Sequence, residues 1–336
     1  MVAAGRNVLP SADIRKPRYS CAMRSLLCLT TLLFAFAAPP ALAESKEINL
    51  HKGLGEQNRV VRLFFRDGLE ITFKDPKFGG ISAMEIELGG HTACMMTDKG
   101  DVADVRLQYN AAGNLAGATL DEIRPVIGAA GRGTNAAIEA IAEMPDGGLL
   151  VAFERRHRLL HFPRSVKPLQ TVPRLLNTPV GLERARSTRG IEAASPTANR
   201  EILLIAEDMP TSRGFTFAWL GNGATWTPMS YALYQPYRPT GATLLKNGDI
   251  MVIERRGTAA NPQGTRFAKI PKRQLRPGAP IQTQEIARLD PPFITANFEA
   301  IATSQGLQGQ TILYVASDND FSKSRPTVLL MFELLP

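Results

Sequence analysis

A motif returns along this chain about every 54 residues, and a chain built that way folds as an array of like units. A short apolar run with a small central residue leads through a Gly-bearing turn into a second apolar run that ends in an acid. It reads Gly80-Ile81-Ser82-Ala83-Met84 to Thr97-Asp98, then Ile138-Glu139-Ala140-Ile141-Ala142 to Phe153-Glu154. It continues as Ile191-Glu192-Ala193-Ala194 to Ala206-Glu207, Pro239-Thr240-Gly241-Ala242 to Ile253-Glu254, and Phe298-Glu299-Ala300-Ile301-Ala302 to Ser317-Asp318. The centres, 82, 139, 192, 240 and 299, lie 57, 53, 48 and 59 residues apart. Periods near 40–50 residues with several short strands per unit are the signature of propeller blades. The expectation is an all-β chain, a single β-propeller of five or six blades, its ring closed by an N-terminal strand.

The N-terminus reads as a targeting segment. Met23-Arg24 opens a short basic region, Leu26 to Ala38 is apolar, and Ala41-Leu42-Ala43 is an A-x-A cleavage site. The apolar stretch is too short for a stable membrane span. Residues 1–22 precede a complete signal, so translation from Met1 and from Met23 are both open. The domain reading is 1–43 as extension plus signal peptide and 44–336 as the propeller, exported to a bacterial periplasm or beyond. Cys21 and Cys28 leave with the signal, and Cys94, inside an apolar run, remains as a single buried thiol without an intrachain disulfide. The mature part holds 34 Lys/Arg and 30 acidic residues, a net charge of +4. That mild balance, without long basic runs or an aromatic-rich basic stripe, argues against nucleic acid and suits a small anionic partner.

Within the mature part, Val60–Phe64 and Leu69–Phe73 read as two strands around an Arg66-Asp67-Gly68 hairpin turn. Pro145-Asp146-Gly147-Gly148 and Asn247-Gly248-Asp249 each feed a buried strand. Ala136 to Glu143 is helical by propensity, but its place in the repeat makes it a strand. A sixth blade could lie in a degenerate stretch, for example Phe215 to Tyr234.

Equivalent motif positions of a propeller converge on its axis. Glu139, Glu192 and Glu299 therefore meet there, with Ser82 and Thr240 in the same position of the other two units. Three carboxylates near one axis repel unless a cation, protons or basic partners compensate. A hard cation such as Ca2+ suits them; hydrogen bonding that staples blade to blade is the alternative. The second ring reads Asp98, Glu154, Glu207, Glu254 and Asp318. Glu154-Arg155-Arg156 and Glu254-Arg255-Arg256, echoed by Asp98-Lys99, pair acids with cations. On a strand Glu154 and Arg156 would share a face. Arg156, Arg256 and Lys99 are thus candidates to grip a substrate anion, or else form structural ion pairs. The histidines His51, His91, His157 and His161 make no zinc pattern, and neither a nucleophile elbow nor a P-loop is present.

At these residues the chain resembles the phytase-like family, described by its "esterase-like activity of phytase". The carrying segments run from Phe78-Gly79-Gly80-Ile81-Ser82 through Thr97-Asp98-Lys99-Gly100, Ile138-Glu139-Ala140 and Phe153-Glu154-Arg155-Arg156. They continue with Tyr237-Arg238-Pro239-Thr240-Gly241, Ile253-Glu254-Arg255-Arg256, Asn297-Phe298-Glu299-Ala300-Ile301 and Ser317-Asp318-Asn319. The resemblance implies an exported propeller that hydrolyses phosphate or carboxylic esters. It departs at Ala137 and Ala296, where an Asp is usual, and at Lys99, where an Arg is usual. The functional expectation is a hydrolase assisted by a divalent cation: Glu139, Glu192 and Glu299 do the chemistry, and Asp98, Asp318 and Glu299 hold the metal. The other reading is a non-catalytic periplasmic propeller that binds a ligand or partner.

Overall fold

In the computed structural model, residues 44–51, 58–128, 137–258 and 260–336 are described. The signal-peptide reading of residues 1–43 lies outside them. Five antiparallel sheets account for the described strands, and two single-turn 3-10 segments are the only helical elements among the described residues.

Each blade starts at the axis and steps outward. Blade 1 comprises Ile81–Ile86, Thr92–Thr97, Asp101–Tyr109 and Leu115–Pro125. Blade 2 comprises Ile138–Glu143, Leu149–Phe153, Arg158–Phe162 and the short outer Arg174–Leu175. Blade 3 comprises Ile191–Pro196, Ile202–Ser212, Phe215–Gly221 and Trp226–Ala232. The stretch held open for a sixth blade is therefore the outer half of blade 3, because Phe215–Gly221 pairs with Ile202–Ser212. Blade 4 comprises Arg238–Leu244, Ile250–Gly257, Pro262–Ile270 and Gln284–Leu289. The count is five.

Blade 5 is assembled from both ends of the chain. Phe298–Gln305, Thr311–Ser317 and Thr327–Leu334 come from the C-terminal part, and Leu63–Thr72 pairs antiparallel with Thr327–Leu334. Closure therefore makes contacts far apart in sequence. It also corrects the hairpin expectation. Arg66-Asp67-Gly68 lies inside one ten-residue strand, whose register against Thr327–Leu334 shifts next to it. The turn sits earlier, at Val61-Arg62, between the short Arg59–Val60 and Leu63–Thr72. Gly68 is small for packing: a Cβ there would stand 2.8 Å from the Leu330 Cδ2 and 3.0 Å from the Ile48 Cγ1.

The apolar faces of neighbouring blades pack in five separate cores, one per seam. Ile138, Val151 and Phe153 meet Ala83, Met96 and Val102 between blades 2 and 1. Phe267, Met251 and Ile253 meet Phe298, Leu313 and Phe332 between blades 4 and 5. Leu69 and Ile71 of the closing strand join the seam between blades 5 and 1. Sheets packed face to face explain why the strands read as nearly unbroken apolar runs rather than alternating ones. At the axis the strands crowd, which accounts for Ala83, Ala140, Ala193, Gly241 and Ala300 after the motif centres. A Cβ on Gly241 would lie 2.6 Å from the Glu299 carbonyl oxygen of the next blade.

Gly68→Ala is expected to destabilise the protein by about 1–3 kcal/mol through overpacking, read as a lower urea midpoint; a solvent-exposed hairpin tip would tolerate it.

Candidate functional site

The innermost pairing of every blade carries the same irregularity. Register shifts fall between Ile81 and Ala83, Ile138 and Ala140, Ile191 and Ala193, Pro239 and Gly241, and Phe298 and Ala300. The skipped residue is the motif centre each time: Ser82, Glu139, Glu192, Thr240 and Glu299. A bulge leaves its extra residue out of the ladder and re-aims the side chain. Ser82, Glu139, Glu192 and Glu299 line one axial cavity of about 10 Å³, room for a single water or ion. Thr240 turns aside and donates a hydrogen bond to the Phe298 carbonyl at 2.9 Å, tying blade 4 to blade 5.

The second ring lies at the same end of the axis, because the start of each inner strand pairs with the end of the next. The amides of Asp98, Glu154, Glu207 and Asp318 donate to the carbonyls of Gly80, Ala137, Gly190 and Asn297. In blade 4 the register gives a different answer from the sequence reading. Gly241 pairs with Ile253, as Ala140 pairs with Ala152 and Ala193 with Ile205. Two residues further on stand Glu154, Glu207 and, in blade 4, Arg255. Glu254 is therefore not a member of the ring. It is fully buried, accepts from the Tyr231 hydroxyl at 2.6 Å and pairs with the buried Arg266, a link between blades 3 and 4. The spacing carried this signal, since fifteen residues separate Glu139 from Glu154, Glu192 from Glu207, and Thr240 from Arg255.

Arg255 enters the ring as its internal cation. Its Nη2 lies 3.3 Å from the Glu207 Oε1 and 3.8 Å from the Glu299 Oε1. Arg189 holds the other Glu207 oxygen at 3.1 Å. Asn297 donates to Glu299 at 3.0 Å and to Asp318 at 3.3 Å. Glu154 accepts the Gly190 amide at 3.2 Å, so this acid does staple blade to blade. Among the described residues, neither Glu139 nor Glu192 takes a backbone N–H.

The other sequence candidates lie apart from this cluster or at its rim. Arg256 is committed to Asp290 at 3.2 Å and to the Gln263 carbonyl at 3.0 Å. Arg156 is exposed in a turn, since the strand ends at Phe153; it is Arg155, at φ 59°, whose charge acts on Asp98. Lys99 rests its ammonium over the Phe321 ring, 3.3 Å from the centroid, beside Asp98. Asn319 accepts the Gly80 amide at 3.1 Å, joining blade 5 to blade 1. Gly80 is at φ 56°, and a Cβ there would strike Phe321 and Asp98. Cys94 is buried, and burial raises its thiol pKa. His157 and His161 make structural contacts, with the Arg186 carbonyl and with Asp146.

Burial and mutual repulsion hold protons on the axial acids. Removal from water, then the charges of Glu154, Glu299, Asp98 and Asp318, push Glu139 well above the usual carboxylate range. Burial, then Glu139, Glu154 and Glu207, does the same to Glu192. Glu299 is pushed up to about 8 by burial and Asp318, against the opposing pull of Arg255. Asp318 rises to about 7, chiefly through burial. Asp98 and Glu207 are raised for the same leading reason.

The donor set is all oxygen, which fits a hard cation. Three buried oxygens here, Ser82 Oγ, Asp98 Oδ1 and Asn297 Oδ1, have no hydrogen-bond partner. No three acidic, histidine or cysteine groups among the described residues stand close enough together to chelate one metal.

A family model described as "Phytase-like: Esterase-like activity of phytase" matches residues 76–321. No curated protein matches the chain significantly. Among solved structures, the chain is similar to a PQQ-bound aldose sugar dehydrogenase from Streptomyces coelicolor. The identity is 12%, coverage 88% of this chain and 99% of that one, TM-score 0.44. It is also similar to a luciferin-regenerating enzyme (11%, 78% and 94%, TM-score 0.35) and to a streptogramin B lyase (9%, 86% and 98%, TM-score 0.37). Likenesses this distant carry no functional argument.

Carboxyl groups whose folded pKa is raised bind more protons in the native state, so ionising them costs stability. Stability should be fullest at the acid side of this window and fall as pH climbs from about 4.5 through about 8. Thermal midpoints in chelator are expected to drop by several degrees across that interval, with a shallower slope for Glu299→Gln. Glu254→Gln should instead lower the midpoint throughout, by about 3–5 kcal/mol of stability, as it leaves Arg266 buried without its partner charge.

Proposed function

The chain belongs to the phytase-like family, and from that premise we propose that it is an exported hydrolase whose axial site cleaves a phosphate or carboxylic ester with help from a divalent cation. The observation that supports this reading is the fivefold bulge. A backbone irregularity recurs in each blade, four of the five bulged side chains line one small cavity, and three of those four are carboxyls. A structural core would fill that space with methyl groups at lower electrostatic cost.

In this reading Glu139, Glu192 and Glu299 are the acid–base groups. Glu139 and Glu192, raised well above the usual carboxylate range chiefly by burial, are the groups able to keep a proton for a leaving oxygen. Asp98, Asp318 and Glu299 do not converge closely enough for all three to chelate one ion. A cation such as Ca2+ at the mouth of the cavity would therefore rest on one or two of them together with the unpartnered oxygens of Ser82 and Asn297. When bound, the cation would offset the acids' repulsion and polarise the ester oxygen. Arg255 offers the guanidinium for the substrate anion, where the sequence alone pointed to Arg156 and Arg256; Lys99 lies at the rim. The reading of residues 1–43 as extension plus signal peptide, from their basic, apolar and A-x-A sequence, is what supports export to the periplasm or the medium.

The alternative, a non-catalytic binding propeller, is favoured by the Ala at positions 137 and 296, which leaves fewer carboxylates for a metal. Purified protein assayed on p-nitrophenyl phosphate, p-nitrophenyl acetate and phytate, with Ca2+ and with chelator, separates the two. Calcium-dependent release from an ester, lost in Glu299→Gln together with calcium-induced thermal stabilisation, is the expected result. Silence on all three from a folded sample would establish the binding propeller instead.

A further inference from the structure

The position that interrupts the acid ring decides what charge the site accepts. Blades 1, 2, 3 and 5 bring Asp98, Glu154, Glu207 and Asp318 to equivalent places; blade 4 brings Arg255. Its side chain is 14% exposed, and its Nε is buried without a hydrogen-bond partner. Its Nη2 reaches Glu207 only at the long edge of hydrogen-bonding distance, 3.3 Å, and Glu299 at 3.8 Å. The guanidinium is thus oriented by two acids with donor capacity left over. The other cations near the axis are paired or exposed, among them Arg155, whose charge reaches Asp98 from an exposed turn. Arg189 is 41% exposed and paired to Glu207, and Lys99 is exposed over Phe321.

Two side chains supply the complementary half. Ser82 and Asn297 are each only 3% exposed, and their Oγ and Oδ1 atoms have no partner. Ser82 lines the axial cavity, and Asn297 bonds the acids beside it. Buried polar atoms without partners cost free energy that a ligand's hydroxyl would return.

We propose that Arg255 is the anion anchor of the axial site, and that the site takes a ligand with a single anionic group and several hydroxyls rather than a polyphosphate. This rests on the reading of the axis as the ligand site. One guanidinium meets one carboxylate or phosphate through two parallel hydrogen bonds. Hydroxyls donate to Asn297 Oδ1, Asp98 Oδ1 and the ionised carboxylates, and Ser82 can give or accept. A second and third phosphate would face Asp98 and Glu154 instead, a like-charge arrangement that rejects the ligand. The axial cavity itself holds one oxygen or ion, so the body of the ligand lies over it at the mouth.

The test is binding, which needs no turnover. Glucuronate, glucose and phytate are titrated into the full chain by NMR in chelator, so that no metal bridges phosphate to carboxylate. Glucuronate is expected to bind about tenfold or more tightly than glucose, which has the hydroxyls without the charge, and than phytate. Arg255→Met should abolish that preference while Arg256→Met keeps it. Arg255→Lys, which retains charge in the ring should the Met variant fold poorly, should fall between, because an ammonium cannot form the bidentate pair. Phytate binding as tightly as glucuronate, an Arg255→Met protein with unchanged selectivity, or no glucuronate binding at all would each overturn the proposal. Failure of ester hydrolysis with glucuronate selectivity intact would overturn the catalytic reading and leave this one standing.

Discussion

Five strands cannot approach one axis without deciding which atoms occupy the last few ångströms, and that crowding organises the molecule. The residue after each motif centre is small, and at Gly241 even a Cβ is too much, because the Glu299 carbonyl of the next blade stands 2.6 Å away. The bulge resolves the same constraint differently. It takes one residue out of each ladder and, in every blade but the fourth, turns its side chain into the narrow space left over. Ladder, bulge and small residue are thus one device repeated in each blade, and in three of the five the bulged residue is an acid.

The charges follow from that geometry. Carboxyls brought together out of water must stay protonated, find cations or give up stability. The protein uses partial answers: protons raised onto Glu139, Glu192 and Glu299, an arginine in place of the fifth acid, and amides such as Asn297 between carboxyls. Glu254 took the opposite course. One residue earlier on the same strand, it faces away from the axis and is matched by Arg266 and Tyr231 in a closed buried pair. Adjacent residues on a strand face opposite sides, so a one-residue offset separates a site residue from a structural one.

That offset also shows how far the sequence could be read. The repeat, the strands and the axial set Ser82, Glu139, Glu192, Thr240 and Glu299 were legible because spacing along the chain maps directly onto blades. The second ring was legible in four blades and misread in the fourth, where an acid stood one place before an arginine and the acid was the more familiar choice. Arg66-Asp67-Gly68 looked like a hairpin tip because its composition matches one. Its partner strand, Thr327–Leu334, lies at the far end of the chain, where local composition carries no information about it.

By itself, then, the sequence determined the class of architecture, the direction of each apolar face and which residues stand at equivalent positions in the repeat. Those properties depend on period, and period is a property of the chain. Only the tertiary structure decided the blade count, the register by which Leu63–Thr72 closes blade 5 against Thr327–Leu334, and the entry of Arg255 into the acid ring. These depend on hydrogen-bond register between strands, and register is set by contacts across the sheet that no local stretch contains.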